Sequence, residues 1–294
     1  MLVATETRFV YQFGRKRYDL SARTYIVGIL NVTPDSFFDG GRYVDVGRAV
    51  DRALEMVEQG ADIIDVGGES TRPKSKAYGE GAEVVPVAEE LRRVIPVIEQ
   101  LTRHTDIPIS IDTYKSEVAR EALGAGASIV NDISGFRFDE GMAAVIAQAQ
   151  ASAVVMHIRG TPGTMQLDPR YDDLFGEIIS YLREGVEIGR HCGIRQMLVD
   201  PGIGFGKKVE DNLRLISGLS KLSVLGCPIL VGPSRKSFIG EILNLPTEDC
   251  LEGSVASVVA CILSGAHVVR VHDVKEAKRA AILTDAVKTA RSSI

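Results

Sequence analysis

The chain has no tryptophan and only four cysteines in 294 residues. Cys192, Cys227, Cys250 and Cys261 show no CxxC spacing, and no Cys/His group carries the spacing of a zinc site. A disulfide scaffold and a zinc module are both disfavoured, and small buried hydrophobes in a reducing cytosol are the expectation for all four. A basic excess is missing as well. Lys and Arg number 34 against 39 Asp and Glu, a net charge of −5, so the electrostatic footprint of a nucleic-acid binder is absent. No apolar run reaches the roughly 18–20 residues of a membrane span. Met1–Gln12 includes Glu6 and lacks the apolar stretch of a secretory leader. Low-complexity tracts and short repeats are also lacking. With 45% apolar and 25% charged residues, the composition is that of a globular protein.

What is present is an alternation. Eight short apolar, β-branched runs read as strands: Tyr25–Leu30, Asp62–Val66, Ile107–Ile111, Ser128–Val130, Ala153–Met156, Met197–Val199, Pro228–Val231 and His267–Val271. Near-continuous apolarity marks them as parallel strands buried on both faces. Helical periodicity fills the gaps. Val44–Gln59 repeats its apolar residues at three- and four-residue spacing and stops at Gly60; Val84–Thr102 is longer. Further helices are expected after Lys115, Asp139, Asp172, Val209, Thr247 and Asp273. Gly60-Ala61, Gly126-Ala127 and Gly265-Ala266 mark tight helix-to-strand returns. Eight such units predict an α/β fold, a single (β/α)8 TIM barrel, for which about 250 residues is usual. The expectation is one domain over residues 1–294, with residues 1–24 forming an extension. There Phe9–Phe13 and Arg17–Leu20 flank Gly14-Arg15-Lys16, which predicts a small β-hairpin covering the barrel bottom. A doubly wound open sheet uses the same alternation but rarely needs eight units in one domain.

A barrel places its chemistry at the C-terminal ends of its strands. Those positions are Asn31, Asp65, Asp112, Asn131-Asp132, His157 after Met156, Asp200, the Gly232–Lys236 stretch, and Arg270 with His272. A single Asp there could be a helix cap. A whole ring of polar groups is costly to bury unless a ligand uses it. Asp and Asn beside Lys236 suit a polar heterocycle. Arg270 and His272, two residues apart on a strand, face one side and suit a phosphate or diphosphate. Asn31 is a neutral oxygen donor that could share Mg2+ with such a group. Two loops, Thr33–Gly41 with Phe37 and Phe38, and Thr71–Lys76, read as covers that could close over substrate. Asp200–Lys207 is glycine-rich but lacks the GxxxxGK[ST] pattern, which excludes a P-loop nucleotidase. Phe205 reads more simply as an apolar wall.

These stretches together are specific. Gly28–Phe37, Asp65–Pro73, Ser110–Thr113, Asn131–Gly135, Met156-His157 with Arg159–Pro162, Asp200–Lys207, Ser234–Phe238 and Arg270–Asp273 follow one another in an order that closely resembles bacterial-type dihydropteroate synthases of folate biosynthesis. The resemblance runs from about Tyr25 to Glu276. It implies a pterin-binding barrel that joins 7,8-dihydropterin-6-ylmethyl diphosphate to 4-aminobenzoate, releasing diphosphate by Mg2+-assisted, SN1-like loss. It implies that Asp112, Asn131, Asp200 and Lys236 hydrogen-bond the pterin, with Met156 and Arg270 on its faces and Asp65 at the same mouth. Asn31, Arg270 and His272 would hold the diphosphate, and Asn31 the metal. Asp35 would stand near the developing cation as a counter-charge. Phe37, Thr71, Arg72, Pro73, Phe205, Lys236 and Ser237 would form the 4-aminobenzoate side, where sulfonamides mimic the substrate. Asn31, Asp35, Lys236, Arg270 and His272 are thus the expected catalytic set. A cytoplasmic homodimer is implied, with no nucleic-acid or membrane partner. The family's first loop more often reads Ser-Phe-Ser-Asp-Gly-Gly; here Phe38 takes the place of the small polar residue.

Three other readings compete. A corrinoid-linked methyltetrahydrofolate methyltransferase shares the pterin pocket but needs neither the Arg270/His272 pair nor the Thr71-Arg72-Pro73 loop. A non-catalytic pterin binder would not need the intact set. An aldolase would need Lys236 as a Schiff-base lysine, and its Arg- and Ser-rich loop does not obviously favour the free amine.

Overall fold

Strands that are buried on both faces have no solvent side to show, and the sheet here is built from such segments. In a computed structural model that describes residues 8–33, 42–70, 84–246 and 249–291, with the backbone alone for 42–45 and 291, β3 (Tyr25–Asn31), β4 (Ile63–Gly67), β5 (Ile109–Asp112), β6 (Ile129–Asp132), β7 (Ser152–Met156), β8 (Met197–Asp200), β9 (Leu230–Val231) and β10 (Val268–Val271) form one parallel sheet. Its order runs β8-β7-β6-β5-β4-β3-β10-β9. A parallel bridge between Val199 and Ile229 joins the two ends, so the sheet closes into a (β/α)8 barrel.

All eight expected strands are found, with their ends moved by one or two residues. β9 is the short one. Helices Arg42–Glu58, Val87–His104, Ser116–Gly124, Met142–Gln148, Leu174–Cys192, Val209–Ser217, Ser237–Leu243, Leu251–Leu263 and Val274–Arg291 surround the barrel. Two helices follow β9, one opening at Ser237 and one after Thr247, where the pattern expects a helix. Helix Ser237–Leu243 ends at Asn244, whose φ of 54° is left-handed, and Pro246 follows. Neither residue continues a helix. A 3-10 turn at Leu219–Leu225, not foreseen, leads into β9.

The predicted hairpin is present. β1 (Val10–Phe13) and β2 (Lys16–Asp19) pair antiparallel around Gly14. Phe13 is 1% exposed and clusters with Val27, Ile63, Ile129, Val154, Leu198, Leu230 and Val268. These are the inward-facing residues at the strands' N-terminal ends, so the hairpin stoppers the barrel bottom. Side chains alternate across a strand with period two. Two residues beyond Ile63, Ile129, Val154, Leu198 and Val268 lie Asp65, Asn131, Met156, Asp200 and Arg270. The apolar layer at the bottom therefore fixes which residues point inward at the top. Among the described residues no helix is long and apolar enough to cross a membrane.

Candidate active site

Strand register brings the inward residues of neighbouring strands side by side. Gly67 pairs with Asp112, Asp112 with Asn131, and Met156 with Asp200. On that ring Arg270 is the hub. Its Nε donates to Asp65 Oδ2 at 2.5 Å and its Nη2 to Asp112 Oδ2 at 2.6 Å. Asn131 Nδ2 donates to the same Asp65 oxygen at 3.1 Å. A lysine could not span both carboxylates, because the planar fork is what reaches two acceptors at once. Asp65 is 1% exposed, whereas the Asp112 side chain is 16% exposed. The sequence placed both at the mouth. The structure places Asp65 one layer down, beneath Arg270 and Asn131. A cavity of about 10 Å3 lies below it, lined by Asp65, Ser110, Asn131, Arg270 and the apolar bottom layer. Asp65 Oδ1 and Asn131 Oδ1 are buried without a hydrogen-bond partner.

Asp112 and Asp200 resist ionisation. Burial raises Asp112 to about 7, against the pull of Arg270 and with the push of Asp65. Burial raises Asp200 to about 6, partly offset by the Gly202 N–H that donates to it at 2.7 Å. Burial likewise lowers Lys236 to about 8, with Arg270 adding to it. His272 is pushed down to about 3 by burial and then by Arg270, so its ring is neutral. Ser234 Oγ lies 3.2 Å from His272 Nδ1 and accepts from the His272 amide at 3.2 Å, which orients the ring. Arg235 forks onto Asp273 at 2.6 and 3.0 Å, so Asp273 steadies the loop after β9.

The glycine-rich loop after β8 walls the other side. Gly202, Gly204 and Gly206 have φ of 69°, 83° and 67°. At Gly202 a Cβ would sit 1.9 Å from the His157 carbonyl oxygen, so no other residue fits. The aliphatic part of Lys236 passes Gly204, and its Nζ lies 4.2 Å from the centre of the Phe205 ring. Met156 joins Ile133, Ile158 and Met165, with Tyr114 and Phe205 against them. Ser237 opens helix Ser237–Leu243 beside Lys236. Asn31 ends β3, half-buried, and Asn31 Oδ1 and Asp112 Oδ2 both lie close to Gly67. Among the described residues its amide makes no hydrogen bond.

The structure thus brings Asn31, Asp112, Asn131, Met156, Asp200, Phe205, Lys236, Ser237, Arg270 and His272 to one mouth. Asp35, Phe37, Phe38, Thr71, Arg72 and Pro73 lie outside the described residues. Sequence reasoning passed over two groups. Glu69 binds Lys115 Nζ and accepts from Tyr114 Oη at 2.7 Å, while Lys115 also reaches Glu90 at 2.5 Å. This buried cluster braces the end of β4 against helix Val87–His104. Lys207 was visible in the glycine-rich loop, but its burial against His157 was not.

Comparison with known proteins agrees with this geometry. The family model described as pterin binding enzyme matches residues 27–272. The dihydropteroate synthase of Synechocystis sp. is 48% identical over 277 residues, covering 93% of each chain. A Yersinia pestis dihydropteroate synthase, solved with a sulfonamide drug complex, superposes with a TM-score of 0.88 at 40% identity, covering 96% of this chain and all of that one. A Xanthomonas albilineans dihydropteroate synthase in complex with 7,8-dihydropteroate gives 0.82 at 40% identity, over 93% of this chain and 97% of that one. With the barrel, its mouth and these likenesses in agreement, this chain belongs to the pterin-binding enzymes and, among them, to the dihydropteroate synthases.

Proposed function

We propose that the whole chain acts as a single barrel unit that condenses 7,8-dihydropterin-6-ylmethyl diphosphate with 4-aminobenzoate to give 7,8-dihydropteroate and diphosphate. One observation carries this reading. A rim of carboxylate, amide and amine groups at Asp112, Asn131, Asp200 and Lys236 stands beside a cationic corner at Arg270 and His272, all on one barrel mouth. The rim suits the donors and acceptors of a pterin ring, and Met156 supplies an apolar face. Arg270 stays charged, because Asp65 and Asp112 favour its cation against burial. It both faces the ring and reaches toward the diphosphate. Neutral His272 can donate through Nε2 to a phosphate oxygen if Nδ1 accepts from Ser234. Asp65 acts from beneath by fixing Arg270 and Asn131.

The bond that breaks joins the pterin methylene carbon to a diphosphate oxygen, and its electron pair leaves with that oxygen. Preorganised donors aimed at the leaving group lower the barrier where the charge develops. The ring delocalises the cation left behind. The arylamine nitrogen then attacks the methylene carbon and loses a proton, without need of a strong general base. Phe205, Lys236 and Ser237 form the arylamine side. The N-terminus of helix Ser237–Leu243 faces it and suits a carboxylate. The relative solved with a sulfonamide supports binding of such mimics on this side.

Magnesium fits the donor set. Among the described residues no three His, Cys, Asp or Glu side chains are grouped to hold a metal ion, while Asn31 offers an uncommitted amide oxygen at the mouth. Mg2+ prefers oxygen ligands and substrate phosphates to an all-protein cage, so Asn31 would hold it together with the diphosphate. When bound, it would neutralise charge on the leaving oxygens. A homodimer is part of the proposal. Leu243, Leu251, Leu263, Ile282 and Leu283 leave apolar surface exposed on the helices after β9 and β10, which supports it.

The test is kinetic. Asn31→Ala and His272→Ala are each expected to lower kcat, and Asn31→Ala to raise the Mg2+ concentration needed for half-maximal rate. Wild-type kcat and Mg2+ dependence in both variants would remove the diphosphate corner from the account.

A further inference from the structure

Lys207 and His157 have no place in the chemistry above, yet they are 3% and 4% exposed. Lys207 Nζ donates to the Phe205 carbonyl oxygen at 2.9 Å and lies 2.9 Å from His157 Nδ1. Neither partner is a carboxylate. A lysine amine buried this way is costly unless its donors are used. Burial, then the Lys207 charge, pushes His157 down to about 2, so the imidazole is neutral. Facing an amine donor, its Nδ1 is the acceptor and its proton sits on Nε2. The ring is wedged edge-on against Tyr181, with centroids 4.7 Å apart.

The loop needs such a hold. Gly202, Gly204 and Gly206 have no side chains with which to fix their own path. Their neighbours supply the ties one peptide at a time. Gln166 Nε2 donates to the Gly204 carbonyl at 2.8 Å, and Tyr171 Oη to that of Gly206 at 2.8 Å. Asn212 Oδ1 accepts from the Gly204 amide at 2.8 Å. The Phe205 carbonyl between them is held by Lys207. On its outer side the same residue presents the ring that Lys236 Nζ approaches to 4.2 Å.

We propose that Lys207, seated on His157, is a positioning residue. It holds the Phe205 peptide from beneath and so sets where the ring wall stands for the arylamine substrate. The pair governs affinity for 4-aminobenzoate through the Phe205 peptide, while the Lys207 charge also favours the ionised form of Asp200. This rests on the reading of Phe205 as the arylamine wall, and the experiment separates the two.

Lys207→Met keeps the side chain's length and removes its N–H donors. Steady-state kinetics of the full-length enzyme should show KM for 4-aminobenzoate raised about tenfold, the factor that 1.4 kcal/mol represents. The KM for the pterin diphosphate should rise less than that for 4-aminobenzoate, because Lys207 reaches Asp200 only through its charge. Phe205→Ala, measured alongside, should also raise KM for 4-aminobenzoate. An unchanged KM for 4-aminobenzoate in Phe205→Ala overturns the wall reading and the role drawn from it for Lys207. A raised KM there with an unchanged KM in Lys207→Met overturns the positioning role alone. If Lys207→Met does not fold, His157 provides the second route. His157→Gln keeps an acceptor toward Nζ and should stay near wild type, whereas His157→Phe removes it and should raise KM for 4-aminobenzoate. Equal KM in those two variants overturns the proposal.

Discussion

In the proposed function Asp200 accepts hydrogen bonds from the pterin as a carboxylate, while burial raises its pKa to about 6. Binding the ring therefore displaces a proton below that pH. The pterin diphosphate should bind more weakly as pH falls from 8 to 5, and its binding at pH 5.5 should release protons. Calorimetric titrations in two buffers of different ionisation enthalpy check this. In Asp200→Asn affinity should be lower and the proton release from this group lost. The same shift has a stability sign. A carboxyl whose folded pKa is raised favours the fold at low pH, and that contribution fades as pH rises through about 6. At Arg270 shape matters as well as charge. Arg270→Lys keeps the cation but cannot span Asp65 and Asp112, which lie on β4 and β5. Its kcat/KM should fall on the order of a hundredfold, equivalent to about 2.7 kcal/mol. A loss below threefold would show that only the charge matters.

At the scale of elements, the strands were legible because burial on both faces leaves each as a short apolar run with a polar residue where it opens onto the mouth. Asn131, Asp200 and Arg270 could be picked out for that reason alone. The pairs that make the site work were not legible. Arg270 finds Asp65 across 205 positions of sequence and Lys207 finds His157 across 50, and no local pattern encodes either. The break between the two helices after β9 is written in Asn244 and Pro246, and the second helix was expected beyond it, after Thr247. The glycine-rich loop shows what the motif is for. Its alternate positive φ values fold it against the His157 and Arg159 main chain, which a phosphate loop would leave free. Gly202→Ala must push its Cβ away from the His157 carbonyl oxygen. It should lower thermal stability, and circular-dichroism melting together with KM for both substrates would show whether the loop alone or the whole mouth is displaced.

Across the whole molecule, the barrel separates stability from chemistry along its axis. The hairpin residue Phe13 fills the bottom, while the candidate site lies at the opposite end of the strands. Phe13→Ala removes a buried aromatic, which typically costs about 3–5 kcal/mol. A drop in Tm of roughly 10 °C is expected, with kcat at 25 °C close to wild type. A matching loss of kcat would mean that the bottom layer also sets the position of Asp65 and Asn131 above it, through the small cavity they share. The mouth acts as a unit, and turnover is its decisive test. Purified protein is mixed with Mg2+, dihydropterin-methyl diphosphate and 4-aminobenzoate, and both products are quantified. Diphosphate release is expected to depend on 4-aminobenzoate, with 7,8-dihydropteroate formed in equal amount. Tight binding of the pterin diphosphate without formation of 7,8-dihydropteroate would contradict it.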